Sequence, residues 1–235
     1  MKRQLTGMVV AGLLLIAAAF GLYWVVYIQP HPTNDPFSIP EDTSVPQPIE
    51  PGEGKGEVKL TAYLTAYTWW DNTPPGSPII AFSKGDGFPT VHSFAGGTGT
   101  YADPITIAVG HSISDDGVDT PDLPAGTRLY VESLFAYFII EDTCGDGMVP
   151  QNGPCHRLDT PGNEAPAGAQ MWLDMWIEGK NTSQAAAAEC ASALTENYTI
   201  VINPLPGYPT LEGPLMNNEC RTPEKAAAEM LRQSM

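Results

Sequence analysis

The feature that most constrains this chain is a set of short runs rich in β-branched and aromatic residues, each closed off by glycine or proline. They cover residues 58–67, 104–109, 128–131, 137–142, 172–177 and 198–202. Runs this short, with turn residues between them and few helical patterns, predict a small β-barrel rather than alternating α and β units. Two helices are expected beside it. Thr182 or Ser183 can cap residues 184–194, whose alanines favour helix. Thr222-Pro223-Glu224 supplies a hydroxyl, a proline at the first helical position and an early acid, which predicts a second helix to about Arg232.

The N-terminal part reads differently. Lys2 and Arg3 precede an uncharged run of 24 residues, 5–28, which is long enough for a helix to span a hydrocarbon core. Its bulky end, Tyr23-Trp24-Val25-Val26-Tyr27, favours a retained anchor, and a cleaved signal segment is the alternative. Either reading predicts an extracytoplasmic protein, membrane-anchored or secreted, with the membrane as a partner if the helix stays. Residues 29–56 hold Pro30, Pro32, Pro36, Pro40, Pro46, Pro48 and Pro51 and predict an extended stalk. The expected division is therefore 1–28 anchor or signal, 29–56 stalk, 57–211 barrel domain and 212–235 tail with helix.

A formal net charge of −16 argues against nucleic acid or anionic lipid as a partner. Cys144, Cys155, Cys190 and Cys220 fit an oxidising compartment, and pairing of sequence neighbours is preferred among three connectivities. None forms a close Cys-x-x-Cys pair, so no cysteine metal site is expected, and no cofactor is implied. His92 and His111 flank a glycine-rich turn and with Asp103 offer a weaker metal candidate, but their spacing matches no metal motif. A serine nucleophile lacks its Gly-x-Ser-x-Gly element, and a Cys–His pair would compete with disulfide formation.

The chemistry-bearing candidates are aspartates among aromatic rings. Asp71 follows Trp69 and Trp70, and Asp174 lies between Trp172 and Trp176. Strand alternation puts Trp172, Asp174 and Trp176 on one face and sends Leu173 and Met175 to the core. Partial burial there would hold Asp174 protonated, as a general acid requires. Asp71 is the candidate base, although Asp71-Asn72-Thr73-Pro74 also reads as a turn. Asp142 beside Cys144 either supports the site or holds the backbone. Tyr67 and Tyr101 are candidates for lining a groove.

Three stretches in this order carry a resemblance. Residues 65–71 resemble the first-strand Thr-Arg-Tyr-Trp-Asp of family 45 glycoside hydrolases. Phe138 to Gly145 resembles a mid-barrel strand ending in Asp and Cys. Trp172-Leu173-Asp174-Met175-Trp176 resembles the His-Phe-Asp-Leu stretch of expansins and family 45 enzymes. Together they are similar to the six-stranded double-psi β-barrel group, which includes expansin-like and RlpA-like domains. The resemblance implies that Asp71 and Asp174 are base and acid, with Trp69, Trp70, Tyr101, Trp172 and Trp176 contacting sugar. Departures at Thr68-Trp69-Trp70 and Trp172-Leu173 mark a separate branch. The expected function is glycan cleavage on a cell-wall or other β-1,4-linked polysaccharide, by hydrolysis or lytic chemistry. A non-catalytic expansin-like binding or wall-loosening module is the alternative. Oligomeric state is left open.

Overall fold

The computed structural model describes residues 56–145 and 147–235. Nine strands are assigned among them: β1 Val58–Tyr67, β2 Ile105–Ile113, β3 Asp119–Pro121, β4 Arg128–Val131, β5 Ala136–Cys144, β6 Asp159–Thr160, β7 Asn163–Glu164, β8 Met171–Trp176 and β9 Glu196–Ile202. Two helices accompany them, α1 Gln184–Ala193 and α2 Pro223–Gln233. Six strands close into a ring in the order β1-β8-β2-β5-β4-β9, with β9 returning to β1. The pairs β1–β8 and β2–β5 are parallel, and the other four are antiparallel. The molecule is thus a closed, mixed six-stranded barrel with two peripheral helices.

Alternation builds the interior. Ala62 and Leu64 of β1, Leu173 and Met175 of β8, and Ile200 and Ile202 of β9 point inward and are buried. β2 and β5 read instead as nearly unbroken apolar runs, Ile105-Thr106-Ile107-Ala108-Val109 and Ala136-Tyr137-Phe138-Ile139-Ile140. The reason is that both of their faces are covered. The barrel fills one side, and the segment 78–96 straps the other through Phe82 N–H to Glu141 O (2.9 Å) and Thr106 N–H to Gly96 O (2.8 Å).

Ser183 caps α1, accepting the Ala186 amide at 3.2 Å, whereas Thr222 begins α2 without a capping side-chain bond. Strand β3 and the β6–β7 hairpin are polar and two or three residues long, too short to leave a periodic signal. Disulfides join Cys144 to Cys155 and Cys190 to Cys220, the neighbour pairing expected. The second ties α1 to the tail and closes 30 residues. Chain entropy for that loop predicts that Cys190→Ser/Cys220→Ser lowers unfolding free energy by ~3–4 kcal/mol, measurable by urea titration.

The expected membrane helix is corrected. Among the described residues no helix is long and apolar enough to cross a membrane. α1 and α2 have 10 and 11 residues against the ~20 a span requires, and α2 carries Glu224, Lys225, Glu229 and Arg232. The anchor segment 1–28, and all of the 29–56 stalk but its last residue, lie outside the described residues. A membrane partner through an N-terminal helix, and a membrane-anchored location, are therefore not supported.

Candidate functional site

Strand register brings the candidate acids together. Thr65 on β1 pairs with Asp174 on β8, Asp174 with Ala108 on β2, and Ala108 with Asp142 on β5. The row Thr65–Asp174–Ala108–Asp142 therefore runs across four strands, with a single methyl group between the two acids. Two strand spacings separate their backbones, roughly 10 Å. The β2–β5 register slips between Ile107 and Ala108, making Glu141 an extra residue on β5. The consecutive acids then serve different partners: Glu141 reaches His92 and Thr106, and Asp142 reaches Tyr67. Bulges commonly re-aim side chains beside functional sites in this way.

Above the row lies a cleft of about 430 Å³. Asp71, Asp142, Asp174 and Tyr67 line it, with Ile79–Ala81 as one wall and Cys144–Gly145 as another. None of the described lining residues is basic.

Asp174 is partly buried and held by a short relay. Trp172 Nε1–H donates to Thr65 Oγ1 at 3.1 Å, and Thr65 Oγ1–H donates to Asp174 Oδ1 at 2.6 Å. Burial raises the Asp174 carboxyl to about 7, reinforced by negative charge from Asp71 and Asp142 and opposed by the Thr65 hydrogen bond. Asp174 is therefore protonated over the acidic and near-neutral range, with Oδ1 engaged by Thr65. Asp142 is raised to about 6, again mainly by burial. It accepts the amides of Ala81 and Thr143 on Oδ1, both at 2.9 Å, and the Tyr67 hydroxyl on Oδ2 at 2.8 Å. With its acceptors occupied, Asp142 fastens the Ala81 wall to the barrel. Tyr67 is itself pushed well above its ordinary value by burial and by Asp142, so it serves as a proton-bearing donor.

Asp71 is exposed at the cleft edge. Its Oδ1 accepts the Thr68 amide at 2.7 Å and the Thr68 hydroxyl at 2.6 Å, closing the turn after β1. Asn72, buried, donates to Ser77 O (2.8 Å) and Ile79 O (3.0 Å) and sets the adjoining wall. Trp69 and Trp70 are half-buried and accessible from solvent.

The other aromatic candidates are placed differently. Trp172 and Trp176 are only 3% and 2% exposed, packed edge-on against Tyr63 and Tyr67 at ring separations of 4.9 and 5.2 Å. Their indoles position the site rather than offering an open stacking face. Tyr101 joins Tyr137 and the Arg128 guanidinium, outside the cleft lining. His92 and His111 do not combine with Asp103 around a metal. His92 bridges Glu141 and Asp103, both at 2.7 Å, while His111 bridges Asp119 (2.7 Å) and Gly145 O (2.9 Å). Thr65, Asn72 and Glu141 escaped sequence reasoning. The first two look like ordinary strand and turn residues, and only the Glu141-Asp142 doublet closing an apolar strand hinted at the third.

The family model described as the DDB_G0273701 N-terminal domain matches residues 59–222, from β1 to the residue before α2. An uncharacterized protein of Dictyostelium discoideum, DDB_G0273701/DDB_G0273221, is 35% identical over 155 residues, which is 66% of this chain and 55% of that protein. The chain thus spans about half the length of this curated relative. No solved structure matches this chain.

Proposed function

We propose that this chain, which belongs to the DDB_G0273701 N-terminal domain family, is a glycan-cleaving enzyme on a barrel of the double-psi type, acting on a neutral β-1,4-linked polysaccharide. The observation that carries the reading is the contrast between two carboxyl groups in one cleft. Asp174 is desolvated and protonated near neutrality, whereas Asp71 is exposed at the cleft edge. Carboxyl groups held in contrasting environments can divide acid and base roles between them. Asp174 would protonate the leaving glycosidic oxygen while Asp71 activates water from the other side, the division of labour in an inverting hydrolase. Trp69 and Trp70, half-buried next to Asp71 and outside the cleft lining, are partly solvent-accessible rings available for stacking on sugar at its margin. The two parallel pairs within an otherwise antiparallel ring support the double-psi reading. Three acids without a basic lining residue disfavour a polyanionic substrate.

One observation favours an expansin-like binding module as the second reading. Both Thr68 donors converge on Asp71, as they would if that carboxylate only closed a turn.

Product analysis by mass spectrometry separates these readings, with the protein incubated on cellulose, chitin and their soluble oligosaccharides. Hydrolysis predicts new reducing ends, lost in both Asp71→Asn and Asp174→Asn. Anhydro products lost only in Asp174→Asn would shift the chemistry to lytic cleavage. Polymer binding without products would sink the enzyme reading and leave the module. If Asp174 is the acid, turnover falls as pH rises through about 7, because that group must arrive protonated. A rate that climbs steadily past pH 8 would exclude it.

A further inference from the structure

A second recess lies beyond the cleft, and the assignment of acid and base does not use it. Its volume is about 260 Å³. Ile105 and Trp176, only 1% and 2% exposed, close its floor, and Glu178, Lys180, Asn181 and Asn217 supply polar groups at its rim. The two depressions share a partition: Tyr67 lines the cleft, Trp176 lines the recess, and their rings meet edge-on with centroids 5.2 Å apart. The half-exposed Trp69–Trp70 turn is bolted to the recess side of that partition. Trp69 N–H donates to Glu178 O at 2.8 Å, and Trp70 Nε1–H donates to Gly179 O at 3.1 Å.

The recess is built at a conformational cost. Glu178 is a non-glycine residue with φ of 73°, a left-handed conformation that side chains rarely adopt. Such residues cost on the order of 1–3 kcal/mol and concentrate at ligand sites. The conformation lets Glu178 meet Lys180 Nζ at 2.8 Å and Trp176 Nε1 at 3.4 Å. Gly97 contributes another wall, and a Cβ there would stand 2.1 Å from Pro104 O, so only glycine fits.

We propose that this recess is a distal sugar subsite of the same groove, receiving a neutral hexopyranose unit of the polymer whose scissile bond lies over Asp174. The inference rests on the glycan reading of the cleft. A carboxylate acceptor, an ammonium donor and two carboxamides around one recess suit a ring bearing hydroxyls around its edge. A divalent metal is a poor fit, because the one carboxylate in the lining already pairs with an ammonium.

The test measures kcat and KM on cello- and chito-oligosaccharides from disaccharide to hexasaccharide, using the full chain, Lys180→Ala and Lys180→Ala/Asn217→Ala. Lys180 is half exposed, and its removal leaves the barrel core intact. Losing the charge-assisted hydrogen bond of Lys180 predicts a KM increase of roughly tenfold on the longest substrates at constant kcat, losing the neutral Asn217 bond adds a smaller step, and both effects shrink as the chain shortens. Lys225→Ala, on α2 and outside the recess, serves as the unaffected control. Calorimetric binding of the hexasaccharide to Asp174→Asn, with and without the recess substitutions, reads the same effect without turnover. Wild-type cleavage with KM unchanged by the substitutions, or changed equally at every length, overturns the subsite and leaves the proposed function standing. Neither cleavage nor binding of any oligosaccharide by the wild type overturns both.

Discussion

Asp174→Asn should melt above the wild type at pH 8 while losing roughly a hundred- to ten-thousand-fold in turnover, the usual contribution of a positioned general acid. The two effects share one cause. Burial raises the folded-state carboxyl to about 7 from an ordinary 3.8. The folded protein therefore suffers no penalty below about pH 3.8, loses stability as pH climbs from there through 7, and carries the full penalty above it. That shift corresponds to at most ~4 kcal/mol. Asp174 keeps some contact with solvent, so about half of this is expected. An asparagine retains the Thr65 hydrogen bond without the buried charge. The gain at pH 8 should be ~2 kcal/mol, or roughly 4–8 °C in melting temperature. At pH 4 the two proteins should melt together. Scanning calorimetry at both pH values, beside an activity assay near pH 6, checks the pair of effects. An inactive variant with no pH-dependent gain would make Asp174 a positioning group and not a desolvated acid. An active variant would remove it from the mechanism.

The largest loss of stability is expected at Glu141, remote from the reacting groups. Its side chain is 0% exposed. Oε1 accepts the amides of Val91 (2.8 Å) and His92 (2.9 Å), and Oε2 accepts from Thr106 (2.8 Å) and from His92 Nδ1 (2.7 Å). His92 Nε2 meets Asp103 at 2.7 Å, so an imidazolium donates to two carboxylates. Burial works to raise Glu141, yet the His92 and Thr106 hydrogen bonds hold it below its ordinary 4.5. Burial likewise opposes charge on His92, yet Glu141 and Asp103 raise it above 6.5. The stabilisation is therefore complete between about pH 4.5 and 6.5. It is lost on the alkaline side as pH rises through the raised His92 value, and on the acid side as pH falls through the lowered Glu141 value. Glu141→Ala breaks a buried pair and strands two amides, with an expected loss of about 3–5 kcal/mol by urea denaturation at pH 6. Asp103→Asn removes only the solvent-exposed arm and should cost less than about 1 kcal/mol. Comparable losses from both would overturn this assignment. Because the network pins the segment that includes Ile79–Ala81, a folded Glu141 variant should also show faster amide exchange along that cleft wall.

The barrel and its chemistry were legible to different depths. The strands β1, β2, β4, β5, β8 and β9 announce themselves because short apolar runs between glycines and prolines have few other ways to bury their side chains. Leu173 and Met175 were placed correctly in the core because a strand's period of two is a local property. The neighbour disulfides were the preferred one of three connectivities, and the structure decided between them. Local pattern misled at the tryptophans flanking Asp174. Alternation put Trp172 and Trp176 on the aspartate's face, but not the fact that Tyr63 and Tyr67, about a hundred positions earlier, would cover them. The surroundings of Tyr101, His92 and His111 were not legible for a similar reason, since Tyr137, Arg128, Glu141 and Gly145 come from distant segments.

By itself, the sequence determined the six strands of the ring, the inward side of those that alternate, and that Asp71, Asp142 and Asp174 are acids on or just beyond them. Only the tertiary structure decided that β8 inserts between β1 and β2, placing Asp174 between Thr65 and Ala108. That insertion desolvates one carboxyl while Asp71 remains exposed at the same cleft. A carboxyl's proton affinity is set by the solvent and charges within a few ångströms of it, and here those neighbours come from four strands spread along the chain.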